Sequence, residues 1–395
     1  MLIVITGQVP NPYMHPRRAL AYQFLSDEAS REEKELFFLK PDHSMNGQNR
    51  SKFWMLSGQE NLAIDDHSLQ ALHPVFYDFM YLSDLRLARS SYRDLLQDIR
   101  SRNFPLFNPE MPGKEKIFRF LSESAPLSEQ LPMTIFDVTP KKVLRLLKDM
   151  PELWLKPVHG SGGRNSVFVQ YLGHDDFHIV TEQFCGQQMD SMVNRYQLES
   201  LLRLAVQERR YLAQAHVPLL KTENQCTADL RITLVRNRQG DWEVVASTGR
   251  TSRAHSLFTN YHAGGKAVSL TYPSTEAKVW LQSVGMTLDD VYRAQQFASH
   301  VAQRLQTNLP HLGVLGMDIG QTKSGSQYVY DCNGRPGRDI LNDLELERYM
   351  RSVVGFACWL QEKFYSEASQ NNAQSSRILM AFKRDSQDCL RIEKL

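Results

Sequence analysis

The sequence has little cysteine. Cys185, Cys226, Cys332, Cys358 and Cys389 are spread over 395 residues, and no two stand in C-x-x-C spacing. An odd, scattered set excludes a disulfide frame and a thiolate zinc site, and it suits reduced thiols in a cytosolic protein. Net charge is also nearly absent: 46 basic against 44 acidic residues leave +2. No overall field draws the chain to nucleic acid or to a membrane surface. No apolar run approaches the about 20 residues that a membrane helix needs. The opening MLIVITGQ has no basic flank and too short an apolar run for a signal peptide. No G-x-G-x-x-G follows the first apolar run, no Walker loop occurs, and there is no internal repeat.

What is present is ordinary globular composition, 42% hydrophobic and 23% charged, with length for two or three domains. Residues 2–6, 35–39 and 75–81 are apolar runs of strand length. They alternate with helical spacing at 18–29 and 92–100, and 104–108 closes the series. Residues 1–110 therefore predict a small α/β domain with a parallel sheet. A helix is expected from Gly113, with Lys114 and Lys116 at its start, then a short extended piece at 131–135. Thr139 as N-cap and Pro140 as first helical residue predict a helix to Met150.

The stretch LWLKPVHGSGGRNSVFVQ reads as strand, glycine loop, strand. Gly160, Ser161, Gly162 and Gly163 form a loop whose N–H groups approach a phosphate with no Cβ in the way. Lys156 precedes it on the strand. The competing reading is a plain glycine turn beside a surface lysine. A strand at 177–184, a helix at 194–210 and an apolar run at 211–217 follow. The run, with Gln214, Ala215 and Val217, is either a core strand or the wall of an adenine pocket that offers backbone groups to the base.

In ADLRITLV, alternation sets Asp229, Arg231 and Thr233 on one face. The returning strand from Trp242 ends in Gly249 and Arg250. Arg231 and Arg250 then share a side, suited to forked recognition of phosphate or carboxylate, or each pairs with a neighbouring acid such as Asp229. LFTNYHAGGK adds Asn260 and, more weakly, His262. Thr287 and Asp290 form a capping box for an amphipathic helix of purely structural face.

That helix leads into HLGVLGMDIGQTKSGSQYVYDCNGRPGRD. Apolar runs at 314–319 and 328–332 flank a Gly- and Ser-containing tip, which predicts a β-hairpin. Asp331 and Asn333 lie two apart on one strand face, and Asp318 joins them if the strands pair. Three hard oxygen ligands with no Cys or His suit Mg²⁺ completed by phosphate oxygens. A helix is expected over 341–364, a Ser-, Asn- and Gln-rich linker over 366–376, and a polar tail over 377–395.

KPVHGSGGRNSV, DLRITLV, Gly249–Arg250, NYHAGG, GMDIG and DCNGRPG stand in the order and spacing of ATP-grasp enzymes. The chain most resembles the YheC/YheD group, described as endospore coat-associated. The resemblance implies an ATP-grasp fold of two α+β subdomains over residues 111–366, flap-bearing at about 140–217 and metal-bearing at about 218–366. The small α/β domain would precede it and a tail, 367–395, would follow.

By motif, Lys116 and Lys156 would bind ATP phosphates, 160–163 would be the flap, and Gln214, Ala215 and Val217 the adenine-side connector. Arg231, Arg250 and Asn260 would surround the transferring phosphate. Asp318, Asp331 and Asn333 would hold one or two Mg²⁺, or Mn²⁺. The family commonly has Glu where Asp331 stands and an acid where Gln214 stands. The implied activity is a carboxylate–amine or carboxylate–thiol ligase working through an acyl-phosphate on small-molecule substrates. A kinase of a hydroxylated substrate and a non-catalytic coat-associated protein are the alternatives.

Overall fold

The computed structural model describes residues 1–41, 51–57, 60–64, 66–160, 163–184, 187–254, 256–259 and 264–370. Three sheets organise the chain.

The N-terminal sheet has the order Glu60–Ile64, Ser51–Trp54, Leu36–Leu39, Leu2–Ile5, Val75–Asp78, Leu106–Phe107. The last four strands are parallel, as the alternation of apolar runs and helices requires. The first two form an antiparallel hairpin on one edge, so the sheet is mixed and not wholly parallel. Neither of those strands presents the continuous apolar run that marked the buried ones. The helix Pro16–Arg31 covers one face through Ala21, Tyr22, Leu25 and Ala29. Arg89–Ser101 covers the other through Tyr92, Leu95, Leu96 and Ile99.

The second sheet runs Gln187–Asn194, Asp176–Phe184, Val167–Gly173, Glu152–Pro157, Tyr211–Ala215, Thr134–Ile135. Helices Pro140–Asp149 and Arg195–Glu208 pack on it through Val143, Leu147, Leu198 and Leu202. Both start as capping chemistry demands. Thr139 accepts from the Lys142 N–H at 3.3 Å, and Asn194 accepts from the Gln197 N–H at 3.1 Å. The edge strand Gln187–Asn194 lies outside the strands expected from the sequence, because only Met189 and Val193 turn to the core from it and its other apolar residue, Met192, is exposed.

The third sheet runs Lys266–Ser269, Trp242–Thr251, Ala228–Arg236, Val314–Gln321, Gln327–Asn333. One face packs on the helix Leu288–Asn308 through Leu230, Ile232, Leu315 and Met317. The other packs on Asp343–Gln370, through Val235, Val245 and Val314. Strand Val314–Gln321 is consequently buried along its whole length. The last helix continues to Gln370, beyond the position 366 where a linker was expected; the tail lies outside the described residues.

Tyr22 of helix Pro16–Arg31 and Tyr77 and Phe107 of the N-terminal sheet share one apolar cluster with Tyr349 and Phe356 of the last helix. Asn108 reinforces the contact. It donates to the Gly334 carbonyl at 2.6 Å and accepts from the Val314 N–H at 2.9 Å. The end of the acid-bearing hairpin is thus held by the N-terminal unit.

Candidate active site

The hairpin forms with Asp318 opposite Asp331 and Gly316 opposite Asn333, with a bulge between Asp318 and Ile319. Asn333 follows Asp331 by two residues on the same strand. Its Oδ1 accepts from the Arg335 N–H at 2.9 Å, shaping the turn after the strand. Asp318 and Asp331 line one cleft, whereas Asn333 lines a neighbouring cleft, which it shares with Asp331.

Arg231 stands opposite Asp318 on the adjacent strand, and its Nε donates to Asp318 Oδ1. Arg250 reaches the same oxygen at 3.0 Å. Arg250 also forks onto Asp229 with bonds of 2.7 and 2.6 Å. Asp229 further accepts from Thr259 at 2.5 Å and from the Tyr330 hydroxyl. Of the two readings open to the arginines, the structure shows pairing with neighbouring acids. Burial alone would raise the Asp318 carboxyl, but Arg231 and Arg250 outweigh it and hold the group well below the usual carboxylate range. Such a buried network costs desolvation that packing would not, which points to a positional use of the charges. Both arginines take Oδ1, so Asp318 Oδ2 has no hydrogen bond among the described residues. Asp331 is likewise held through Oδ1, by Lys114.

Lys156 sits on strand Glu152–Pro157, and its ammonium donates to the Tyr330 carbonyl at 3.1 Å. Burial lowers it to about 8, with Asp331 opposing the shift and Lys114 adding to it. The second lysine at the cleft is Lys114 and not Lys116. Gly113 caps the helix Lys114–Ser122, and two helical residues turn by about 200°. Lys114 therefore faces Asp331, while Lys116 places its ammonium 5.5 Å from the Phe120 ring centre. Gly163 has φ +70, a conformation that disfavours any Cβ, and Gly160 also lines the cleft. Ser161, Gly162, Asn260 and His262 lie outside the described residues.

The cleft between the second and third sheets spans about 1020 Å³ of empty space, open solvent included. Its apolar wall is Trp154 and Phe258, in edge contact at 5.0 Å, with Leu257 and Leu219. Segment 214–217 borders it. Two backbone donors expected for a base are already engaged. The Ala215 N–H donates to the Met133 carbonyl at 2.9 Å and the His216 N–H to the Glu152 carbonyl at 3.0 Å. The N–H of Val217 has no such partner among the described residues. Gln214 donates to Thr134 Oγ1 at 3.0 Å, leaving its buried Oε1 without a partner among the described residues. Trp154, His216, Tyr330 and Asp229 were not singled out by the sequence as site residues. Only Asp229 carried a signal, its alternation with Arg231.

Residues 103–360 match the family described as YheC/D like ATP-grasp. Endospore coat-associated protein YheC of Bacillus subtilis (strain 168) is 25% identical over 58% of this chain and 61% of its own length. Endospore coat-associated protein YheD of the same organism is 22% identical over 68% of this chain and 60% of its own. The chain thus spans less than two thirds of either relative. Among solved structures, N5-carboxyaminoimidazole ribonucleotide synthetase in its ADP complex superposes with TM-score 0.50 at 12% identity, over 89% of this chain and 76% of that one. This likeness concerns the fold. Among the described residues no helix is long and apolar enough to cross a membrane. With the family match covering more than half of the sequence, the chain belongs to the YheC/D-like ATP-grasp family.

Proposed function

We propose that the chain binds ATP in the cleft between the second and third sheets and uses it to join a carboxylate to an amine or thiol. The observation that carries this reading is the meeting of Lys156, Lys114, Asp318 and Asp331 at one end of an apolar cleft whose other side is segment 214–217. An aromatic and aliphatic wall suits a base, and two ammonium groups suit its phosphates. The Val217 N–H, without a partner among the described residues, is the donor left for the base edge. Gly160 and Gly163, which line the cleft, leave room for phosphates with no Cβ in the way.

Asp318 and Asp331 also fit a divalent ion. Each keeps an Oδ2 outside its ion pair. Two carboxylates with phosphate oxygens form the donor set that Mg²⁺ prefers. When bound, the ion would neutralise charge on the terminal phosphates.

In the proposed reaction a substrate carboxylate oxygen attacks the γ-phosphorus, the bond to the β-phosphate oxygen breaks, and ADP leaves. An amine or thiol then attacks the acyl carbon; phosphate leaves and the nucleophile loses its proton. Lys114 and Lys156 offset charge on the transferring group, and Arg231 and Arg250 fix Asp318 in place. Endospore coat association, which the relatives' names carry, is part of the proposal as a location and not as a chemistry.

Incubation with ATP, Mg²⁺ and pools of amino acids and small acids tests the reading. ADP and phosphate released together with a condensed product of matching mass support it. A phosphorylated product without phosphate release would identify a kinase instead, and no ADP from any pool would refute catalysis.

A further inference from the structure

A second, wider cleft of about 1970 Å³ adjoins the nucleotide cleft. The two share Lys114, Gly160, Arg164 and Asp331, so they are continuous where Asp331 stands. The wider one is walled by the N-terminal unit on one side and by both other sheets on the rest.

Its lining is strongly cationic. Arg86, Arg89, Lys114, Arg164, Arg209 and Arg335 all line it, and the acids among its described lining residues are Glu110 and Asp331. Lys114 pairs with Asp331, and Arg89 lies 4.0 Å from Glu110. Arg86, Arg164 and Arg209 are exposed and make no ion pair among the described residues. They come from three separate parts of the chain, so they are not the solvated face of one helix. Nor do they reflect overall composition, since the whole chain carries only +2.

Arg335 is the second, independent sign. Its side chain is 9% exposed. One terminal nitrogen donates to Asp78 at 2.5 Å and to the Tyr92 hydroxyl at 2.7 Å. Its Nε and other terminal nitrogen are buried with no partner among the described residues. Buried N–H groups of a guanidinium left unpaired are costly; these two nitrogens expose almost no surface, so Arg335 acts on an acid group in the cleft through its charge.

We infer that this cleft receives a substrate bearing at least two acid groups, carboxylate or phosphate. One lies toward Lys114 and Asp331, beside the nucleotide; the others meet Arg86, Arg164, Arg209 and Arg335. The ligase reading is needed only for the fate of the first acid group; the binding claim stands on the cleft alone. Arginine forks select planar or tetrahedral oxyanions, and a concave wall of one sign concentrates them.

Calorimetry with propane-1,2,3-tricarboxylate, 3-phosphoglycerate and butyrate tests this, in the presence of Mg²⁺ and a non-hydrolysable ATP analogue. The tricarboxylate or the phosphoglycerate is expected to bind at least about tenfold more tightly than butyrate, and their ranking tells whether carboxylate or phosphate is preferred. In the double variant Arg86→Gln, Arg209→Gln that advantage is expected to fall about tenfold, with affinity for the analogue within about twofold of wild type. Equal affinity for the three probes, no measurable binding of any, or an unchanged double variant would overturn the inference. The series is repeated without nucleotide. Failure of the analogue to bind then counts against the nucleotide reading alone, while the arginine-dependent binding is judged separately.

Discussion

Asp318 and Asp331 stand directly opposite one another across the antiparallel pair Val314–Gln321 and Gln327–Asn333. Like charges at paired positions repel, and three cations offset them here: Arg231 and Arg250 at Asp318, Lys114 at Asp331. The acids differ in exposure, 7% for the Asp318 side chain and 25% for that of Asp331. The same substitution should therefore have unequal effects. Asp318→Asn leaves the buried Arg231 guanidinium without its anion and Arg250 with Asp229 alone, and is expected to cost about 3 kcal/mol. Asp331→Asn breaks a partly exposed pair and is expected to cost under about 1 kcal/mol. Both should remove the Mg²⁺-dependent part of nucleotide affinity. Urea denaturation and calorimetry of the two variants check this; equal stability losses would show that the Asp318 network does not act as a unit.

Lys114 and Lys116 separate by the same logic. Lys114→Met is expected to weaken binding of an ATP analogue by about tenfold or more, since it removes a charge beside the phosphates. Lys116→Met, on the far side of the helix, should leave affinity within about twofold. Titration of the analogue into each variant decides it, and the reverse ranking would return the phosphate role to Lys116.

These residues also mark where the sequence was readable. The acid-bearing hairpin and the caps at Thr139 and Thr287 are local patterns, and local patterns survive into the fold. The strands Ser51–Trp54 and Gln187–Asn194 turn few apolar residues to a core, Phe53 in the first and Met189 and Val193 in the second, too few to read as a pattern. The choice between Lys114 and Lys116 needed the helix phase relative to a strand 217 residues away. The engaged N–H groups of Ala215 and His216 depend on Met133 and Glu152, and Arg335 depends on Asp78, 257 residues distant. Sequence spacing carries no record of such partners.

Asn108 joins the N-terminal unit to the hairpin from a left-handed backbone position, φ +60, which asparagine tolerates better than most residues. Asn108→Ala would leave the Gly334 carbonyl and the Val314 N–H without its amide and keep a strained φ. The expected loss is about 2–4 kcal/mol. Chemical denaturation measures it, and a loss below about 0.5 kcal/mol, the size of an ordinary surface change, would refute the bridging role.

Lys156 predicts a proton linked to nucleotide binding. Burial brings its ammonium down to about 8, so near that pH the free protein holds it partly neutral. Polyphosphate beside the nitrogen favours the charged form and raises its pKa. Binding should then take up a proton at pH values from about 8 to 10, and affinity should fall as pH rises through that window. Below about pH 7 the lysine is already charged in the free protein, so the uptake vanishes. Calorimetry at about pH 8.5 in two buffers of different ionisation enthalpy reads the uptake directly. In Lys156→Arg the guanidinium stays charged throughout, so the two buffers should report the same heat. Identical heats in wild type at that pH would mean that Lys156 is not the group facing the phosphates.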